Sequence, residues 1–254
     1  MEQLQTTPGA VALVGAGEYL AVMNETDRYL LGTLGGPAAA RVVLLPTASG
    51  LEPGSPARWN RMGQTHYANL GVTDVRPSMI IDAASAHDPA QVDLLRGANF
   101  FYFSGGNPQH TIDALRGSPA WEVISAAHAQ GAVLAGCSAG AMAFGGVTVG
   151  LRLALSNGPV QWSPALGIVP NVTVFPHFDR MMGSLSRTGI RTGLVKAPDG
   201  ITAIGVDEDT ALVRLSLATA DQPARWRVMG HKTVTIFWRG RDPETLKVGA
   251  EVAL

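Results

Sequence analysis

Residues 134–146 read LAGCSAGAMAFGG, and the fold turns on how this stretch is read. Two residues upstream complete the apolar run AVLAG at 132–136, and the helix-compatible AMAF follows at 141–144. Between them, Gly136-Cys137-Ser138-Ala139-Gly140 has the form G-x-S-x-G. A strand, a sharp turn and a helix are the context in which that pattern carries chemistry. Glycines at both ends allow a strained turn without Cβ clashes, which lifts the central side chain out of the sheet edge. The first backbone N–H groups after the turn are then available to a developing oxyanion. Two other readings stand beside a Ser138 nucleophile. A competing frame centres Cys137 between Ala135 and Ala139 as a thiol nucleophile, although alanine is the less permissive flank. The third reading is a small-residue turn packed closely on a sheet.

Working outward, short β-branched or aromatic runs alternate with longer amphipathic ones. AVALVG at 10–15, RVVLLPT at 41–47, TDVRPSMII at 73–81 and NFFYFSGG at 99–106 read as strands. PARWNRMGQTHYANLG, DPAQVDLLRG, PQHTIDALRG and SPAWEVISAAHAQG read as helices between them. This alternation predicts an α/β fold with a mostly parallel sheet flanked by helices on both faces. VVLL, apolar without alternation, fits a strand buried on both faces. The second half changes character. NVTVFPHF at 171–178 and a polar helix from Asp179 to Lys196 lead into ITAIGV, TALVRL, ARWRVMG and KTVTIF, which predict a strand-rich C-terminal end with hairpins. With no repeat, linker or low-complexity tract, residues 1–254 are expected to form a single domain.

Composition narrows the function. An apolar fraction of 46% with 15% charged residues and 30 glycines describes a globule with a large core rather than a disordered chain or coiled coil. The net charge of -1 and a pI near 6.6 give no basic footprint, so nucleic acid is not an expected partner. One cysteine cannot form an internal disulfide, and the opening MEQLQTTPGAVAL does not read as a signal peptide, so a cytoplasmic location is expected. Residues 131–151 are uncharged over a membrane-spanning length, but they are rich in Gly, Ala and Ser and interrupted by GG, and no membrane span is expected. The histidines show no paired-ligand spacing, so no metal site is expected. VGAGEY at 14–19 opens like a dinucleotide fingerprint but lacks the third glycine.

A serine nucleophile needs a base, an acid behind the base, and oxyanion donors. Among six histidines, His177 is the best placed, just past the apolar run VTVF and stiffened by Pro176. His66, His110 and His128 fall within helices, His87 lies in a polar turn and His231 precedes the last strand, positions that suit packing or surface roles. Asp207-Glu208-Asp209 follows the buried-looking ITAIGV; Glu208 is the first choice for the acid and Asp179 the second. FYFSGGN at 101–107 ends another strand, and parallel strands place such ends along one edge. Gly105, Gly106 and Asn107 there would supply a backbone donor facing Ser138, although SGGNP also fits an ordinary strand-to-helix turn with Pro108 at the first helical position. Arg180, Arg187 and Arg191 are candidates to hold a substrate carboxylate, or form a solvated helix face.

In order and spacing, VALVGAGE, VVLLPTAS, FYFSGGNPQ, GCSAGAMAFG, FPHF and IGVDEDTALV resemble the serine peptidases related to dipeptidase E and cyanophycinase, which share the class I glutamine amidotransferase-like fold. The resemblance runs from about residue 11 to KTVTIF. It implies a nucleophile at Ser138, a base at His177 and an acid at Glu208. Oxyanion donors fall on the Gly105-Gly106 turn and on Ala139, and no cofactor is implied. Cyanophycinases carry Gln before the histidine and an acidic residue after the GG turn, where this chain has Pro176 and Asn107. The PHF and GGN forms are more similar to dipeptidase E, which implies a short peptide as substrate. Gly105, Asn107 and Arg180 are the expected substrate contacts. A Cys137 thiol enzyme acting on glutamine, a cyanophycinase-like β-aspartyl peptide hydrolase and a non-catalytic binding protein on the same fold are the alternatives. A homodimer is expected from base rates alone.

Overall fold

The runs VALV, RVVLL, FFYF and VLAGC are almost continuously apolar because both of their faces are covered. In the computed structural model, which describes residues 7–149, 161–184, 197–219 and 221–254, they form β1 (Val11–Val14), β2 (Arg41–Leu45), β4 (Phe100–Phe103) and β5 (Val133–Cys137). With β3 (Asp74–Pro77) they make a parallel block in the order β1-β5-β4-β2-β3. Alternate side chains enter two different cores. Val11, Leu13, Val43, Leu45, Phe101, Phe103 and Leu134 point to one face, while Ala12, Val14, Val42, Leu44, Phe100, Tyr102, Val133, Ala135 and Cys137 point to the other. Each fully buried Phe or Leu in these layers contributes roughly 1.5–3 kcal/mol relative to exposure.

The connecting helices are α1 (Asn24–Gly32), α2 (Ser55–Asn69), α3 (Ala83–Ala86), α4 (Pro89–Leu95), α5 (Pro108–Leu115), α6 (Pro119–Ala129) and α7 (Ala139–Phe144). Three of them share a start written into the sequence. Asp88, Asn107 and Ser118 cap α4, α5 and α6 by accepting a backbone N–H, and each precedes a proline at the first helical position, where no donor is needed.

After α7 come β6 (Val147–Val149), β7 (Trp162–Pro164), β8 (Val172–Phe175) and α8 (Phe178–Ser184). These are followed by β9 (Thr202–Val206), β10 (Thr210–Ser216), β11 (Arg225–Gly230), β12 (Thr233–Phe237), β13 (Glu244–Lys247) and β14 (Glu251–Ala253). β10, β11 and β14 extend the large sheet antiparallel beyond β1, giving the order β14-β11-β10-β1-β5-β4-β2-β3. β13-β12-β9-β8 form a second sheet in which β8 and β9 are parallel, and β6 pairs with β7. The protein is therefore α/β, with a mostly parallel central block and a strand-rich end. KTVTIF is not the last strand, since β13 and β14 follow it. The helix expected over 179–196 begins at Phe178 and is described to Ser184; the rest of that stretch, with Arg187 and Arg191, lies outside the described residues. No helix among the described residues is long and apolar enough to cross a membrane.

This topology decides what meets at one edge. The register pairs Val14 with Cys137 and Phe103 with Gly136, so β1, β4 and β5 end side by side. β10 runs the other way, pairing Ala211 with Val14, so its beginning lies at that same edge. In the second sheet Phe175 pairs with Gly205, which places the residues after β8 next to those after β9. Residues 207–209 join the end of β9 to the start of β10 and so connect the two sheets at the edge where Ser138 emerges.

Candidate active site

Ser138 follows the last residue of β5 at φ 51° and ψ −111°, a conformation that L residues rarely adopt. The flanking glycines are required by close approach. A Cβ on Gly136 would stand 2.6 Å from the carbonyl carbon of Gly140, and one on Gly140 would stand 2.6 Å from the Phe103 carbonyl oxygen. The Ser138 N–H donates to the Val14 carbonyl at 2.9 Å, and its own carbonyl accepts from Met142, so the turn is held at both ends.

The serine hydroxyl lies 2.9 Å from Nε2 of His177, whose Nδ1 lies 2.8 Å from Oε1 of Glu208. A carboxylate can only accept, so Nδ1 donates and Nε2 is left to accept the serine hydroxyl. His177 is also at positive φ, 50°. The second carboxylate oxygen of Glu208 takes Nε of Arg180 at 2.8 Å. Arg180, expected as a substrate clamp, has its guanidinium on the acid while its side chain stays 77% exposed. Asp179 does not serve as the histidine's acid partner. Its Oδ1 accepts the Glu208 backbone N–H at 3.0 Å and its Oδ2 binds Lys232 Nζ at 2.7 Å. Burial alone would raise the Asp179 carboxyl, but the bonds from Lys232 and the Glu208 N–H hold it below its usual range.

The turn after β4 faces the serine. A Cβ on Gly105 would come within 3.4 Å of Ser138 Cβ and 3.8 Å of its Oγ. Gly106 sits at φ +146°, pressed against residue 48 so closely that a Cβ would reach the Ala48 carbonyl oxygen at 2.2 Å. Among the described residues neither the Gly106 nor the Ala139 N–H has a protein acceptor, whereas the Gly105 N–H is occupied by Glu18 Oε1 at 3.1 Å. Among the described residues the free donor of that turn is therefore at Gly106 and not at Gly105. Asn107 has two local bonds: its N–H donates to the Ala48 carbonyl and its Oδ1 caps α5 through the His110 N–H.

Cys137 ends β5 with its side chain fully buried and its Sγ 2.8 Å from Glu18 Oε2. Burial, reinforced by Glu18, pushes its thiol well above the ordinary range, the reverse of what a thiolate nucleophile requires. Glu18 was not among the expected site residues. It sits in the VGAGEY turn, 87 residues from one partner and 119 from the other, and a lone glutamate after a glycine turn carries no local signal. The remaining histidines have other partners: His66 binds Asp27, His110 the Ile81 carbonyl, His87 the Ala83 carbonyl, and His128 the Ala132 carbonyl and Arg214. His231 lies in the turn between β11 and β12.

Strain is concentrated here. The described non-glycine residues at positive φ are Tyr19, Ser138, His177 and Asp209, and each belongs to or adjoins the set Glu18, Ser138, His177 and Glu208. Such conformations cost about 1–3 kcal/mol each and persist where the surroundings over-determine them, which is characteristic of functional sites.

Comparison with known proteins agrees with this architecture. The family model described as peptidase family S51 matches residues 11–216. A solved peptidase from an acI-B1 actinobacterium is 30% identical, with a TM-score of 0.83 over 98% of both chains. A putative peptidase E protein from Listeria monocytogenes EGD-e is 15% identical, with a TM-score of 0.57 over 96% of this chain and all (100%) of that one, a likeness of fold alone. The class is thus that of the serine-type peptidases, hydrolases built on a mostly parallel α/β sheet. Within it, the chain belongs to peptidase family S51.

Proposed function

We propose that the protein is a cytoplasmic peptidase that hydrolyses short peptides, in the manner of dipeptidase E, with Ser138 as nucleophile, His177 as general base and acid, and Glu208 as the group that orients His177. The observation that carries this reading is the continuous relay from Ser138 Oγ through His177 to Glu208, at 2.9 and 2.8 Å, on a strained elbow. His177 Nε2 takes the hydroxyl proton as Oγ attacks the scissile carbonyl carbon. The carbonyl oxygen becomes an oxyanion, met by the Gly106 and Ala139 N–H groups; in comparable sites each donor is worth roughly 3–4 kcal/mol. His177 then returns the proton to the leaving amine. Water attacks the acyl-enzyme with the same imidazole as base, releasing the acid product and the serine. Glu208 keeps the imidazole in the tautomer that accepts at Nε2 and stabilises the imidazolium formed in each step. The preference for dipeptide-like substrates over β-aspartyl polymers rests on Pro176 and Asn107 at the positions where cyanophycinases differ.

The test is a library of dipeptides and tripeptides turned over by wild type and by Ser138→Ala. Hydrolysis of at least one peptide is expected, with a loss of about 10⁴-fold or more in kcat for the variant, in line with removal of a triad nucleophile. Full activity in Ser138→Ala would refute the assignment. A fluorophosphonate probe, which needs no knowledge of the preferred side chain, should modify Ser138 in the wild type.

A further inference from the structure

We infer that Glu18 is a positioning residue for the oxyanion turn: its buried carboxylate holds the Gly105 N–H and the end of the nucleophile strand in one fixed relation. This rests on the reading of Ser138 as nucleophile and adds a residue which that reading does not use. Glu18 is 7% exposed. One oxygen takes the Gly105 N–H at 3.1 Å and the other takes the Cys137 S–H at 2.8 Å. Gly105 immediately precedes Gly106, whose N–H has no acceptor among the described residues, and Cys137 immediately precedes Ser138. A single side chain therefore sets the spacing between the donor for the oxyanion and the atom that creates it. A shift of about 1 Å in such spacing can cost on the order of 100-fold in rate.

The backbone around Glu18 is built to resist movement. The Gly15 N–H donates to the Thr210 carbonyl at 2.9 Å, and the Asp209 N–H donates to the Ala16 carbonyl at 3.1 Å. A Cβ on Gly15 would lie 2.1 Å from the Asp207 carbonyl oxygen, and one on Gly17, at φ +92°, would lie 2.6 Å from Asp209 Oδ1. Tyr19, at φ 63°, turns the chain away directly afterwards. The loop that carries Glu18 is thus clamped to residues 207–210, which hold Glu208, so Glu18 refers the oxyanion turn and the serine to the same backbone that carries the acid.

The experiment uses the full-length protein and the rate of modification by a fluorophosphonate, which forms an oxyanion-like adduct at the reactive serine, normalised to folded protein. Glu18→Gln keeps the reach and one acceptor oxygen. Glu18→Asp keeps both oxygens but is one methylene too short. Wild type and Glu18→Gln are expected within about threefold of each other, with Glu18→Asp and Glu18→Ala slower by about tenfold or more. Glu18→Gln as slow as Glu18→Ala, or Glu18→Asp at the wild-type rate, overturns the inference, and the Gln and Asp pair decides it even where the alanine variant does not fold. With the best peptide, the same ranking should fall on kcat and spare KM; a loss confined to KM also overturns it. Ser138→Ala separates the two claims, because labelling that survives in it refutes the nucleophile, while equal labelling of wild type, Glu18→Asp and Glu18→Ala at Ser138 refutes only the role of Glu18.

Discussion

Adjacent residues at the end of β5 have opposite fates because strand side chains alternate. Cys137 completes the alternation that buries Val133 and Ala135 in one core, while the turn at positive φ takes Ser138 out of the sheet. This contrast buries the thiol of the Cys137 frame and presents the hydroxyl of the Ser138 frame to His177. The Cys137 thiol should not react with a disulfide reagent such as Ellman's while the protein is folded, and should titrate as one thiol per chain in denaturant; rapid native reaction would mean that the strand end opens. The Ser138 elbow was legible in the sequence because glycines on either side of a serine are a local signal. The reason for the glycines was only partly legible. They are needed less for torsional freedom than because Gly136, Gly140 and Phe103 pack backbone to backbone across β5, α7 and β4. Glu18 was illegible because both of its partners are distant in the chain.

At the scale of elements, His177 and Glu208 meet because β8 and β9 are parallel neighbours whose ends coincide, and that pair lies at the Ser138 edge because β10 reverses against β1. The runs that form these strands could be read from their β-branched residues, but strand order could not, since no local pattern states that β10 lies beside β1 or that β8 belongs to another sheet. β13 and β14 were missed for a simpler reason: ETLK and EVA are short, largely exposed edge strands without an apolar run. The first turn of α8 then fixes the acid. Asp179 accepts the Glu208 N–H and is itself tied to Lys232, in the turn just before β12. Asp179→Ala should therefore lower kcat by about threefold to tenfold through a displaced Glu208. Asp179→Asn, which keeps an acceptor for that N–H, should recover most of the loss. Steady-state kinetics with the best peptide would check this, and an unchanged kcat in the alanine variant would show that α8 does not govern the acid.

Across the whole molecule, one apolar cluster joins the two sheets. Leu13, Phe101, Leu212 and Val228 of the large sheet pack with Val174, Ile204, Val234 and Ile236 of the second. The polar tie at the far end of the large sheet is different in kind. Buried His128 near the end of α6 donates from Nδ1 to the Ala132 carbonyl at 2.7 Å, which leaves Nε2 to accept from Arg214 Nη2 at 3.1 Å. Arg214 also donates to the Gly9 carbonyl, so the lead into β1, the end of α6 and β10 converge on one guanidinium. Burial, with a smaller contribution from the neighbouring Arg214, holds the imidazole below its ordinary 6.5, and burial brings Arg214 down to about 10. In the unfolded chain His128 takes up a proton as pH falls through about 6.5, while in the folded protein it stays neutral to lower pH, so the unfolded state binds more protons in that interval. The contribution of neutral His128 to stability is thus fully present above about 6.5 and is lost progressively as the solution is acidified below it. Thermal unfolding measured between pH 7.5 and pH 5 should show a fall in Tm that is smaller in His128→Gln, which cannot be protonated. An equal fall in both proteins would show that the acid sensitivity does not lie at His128.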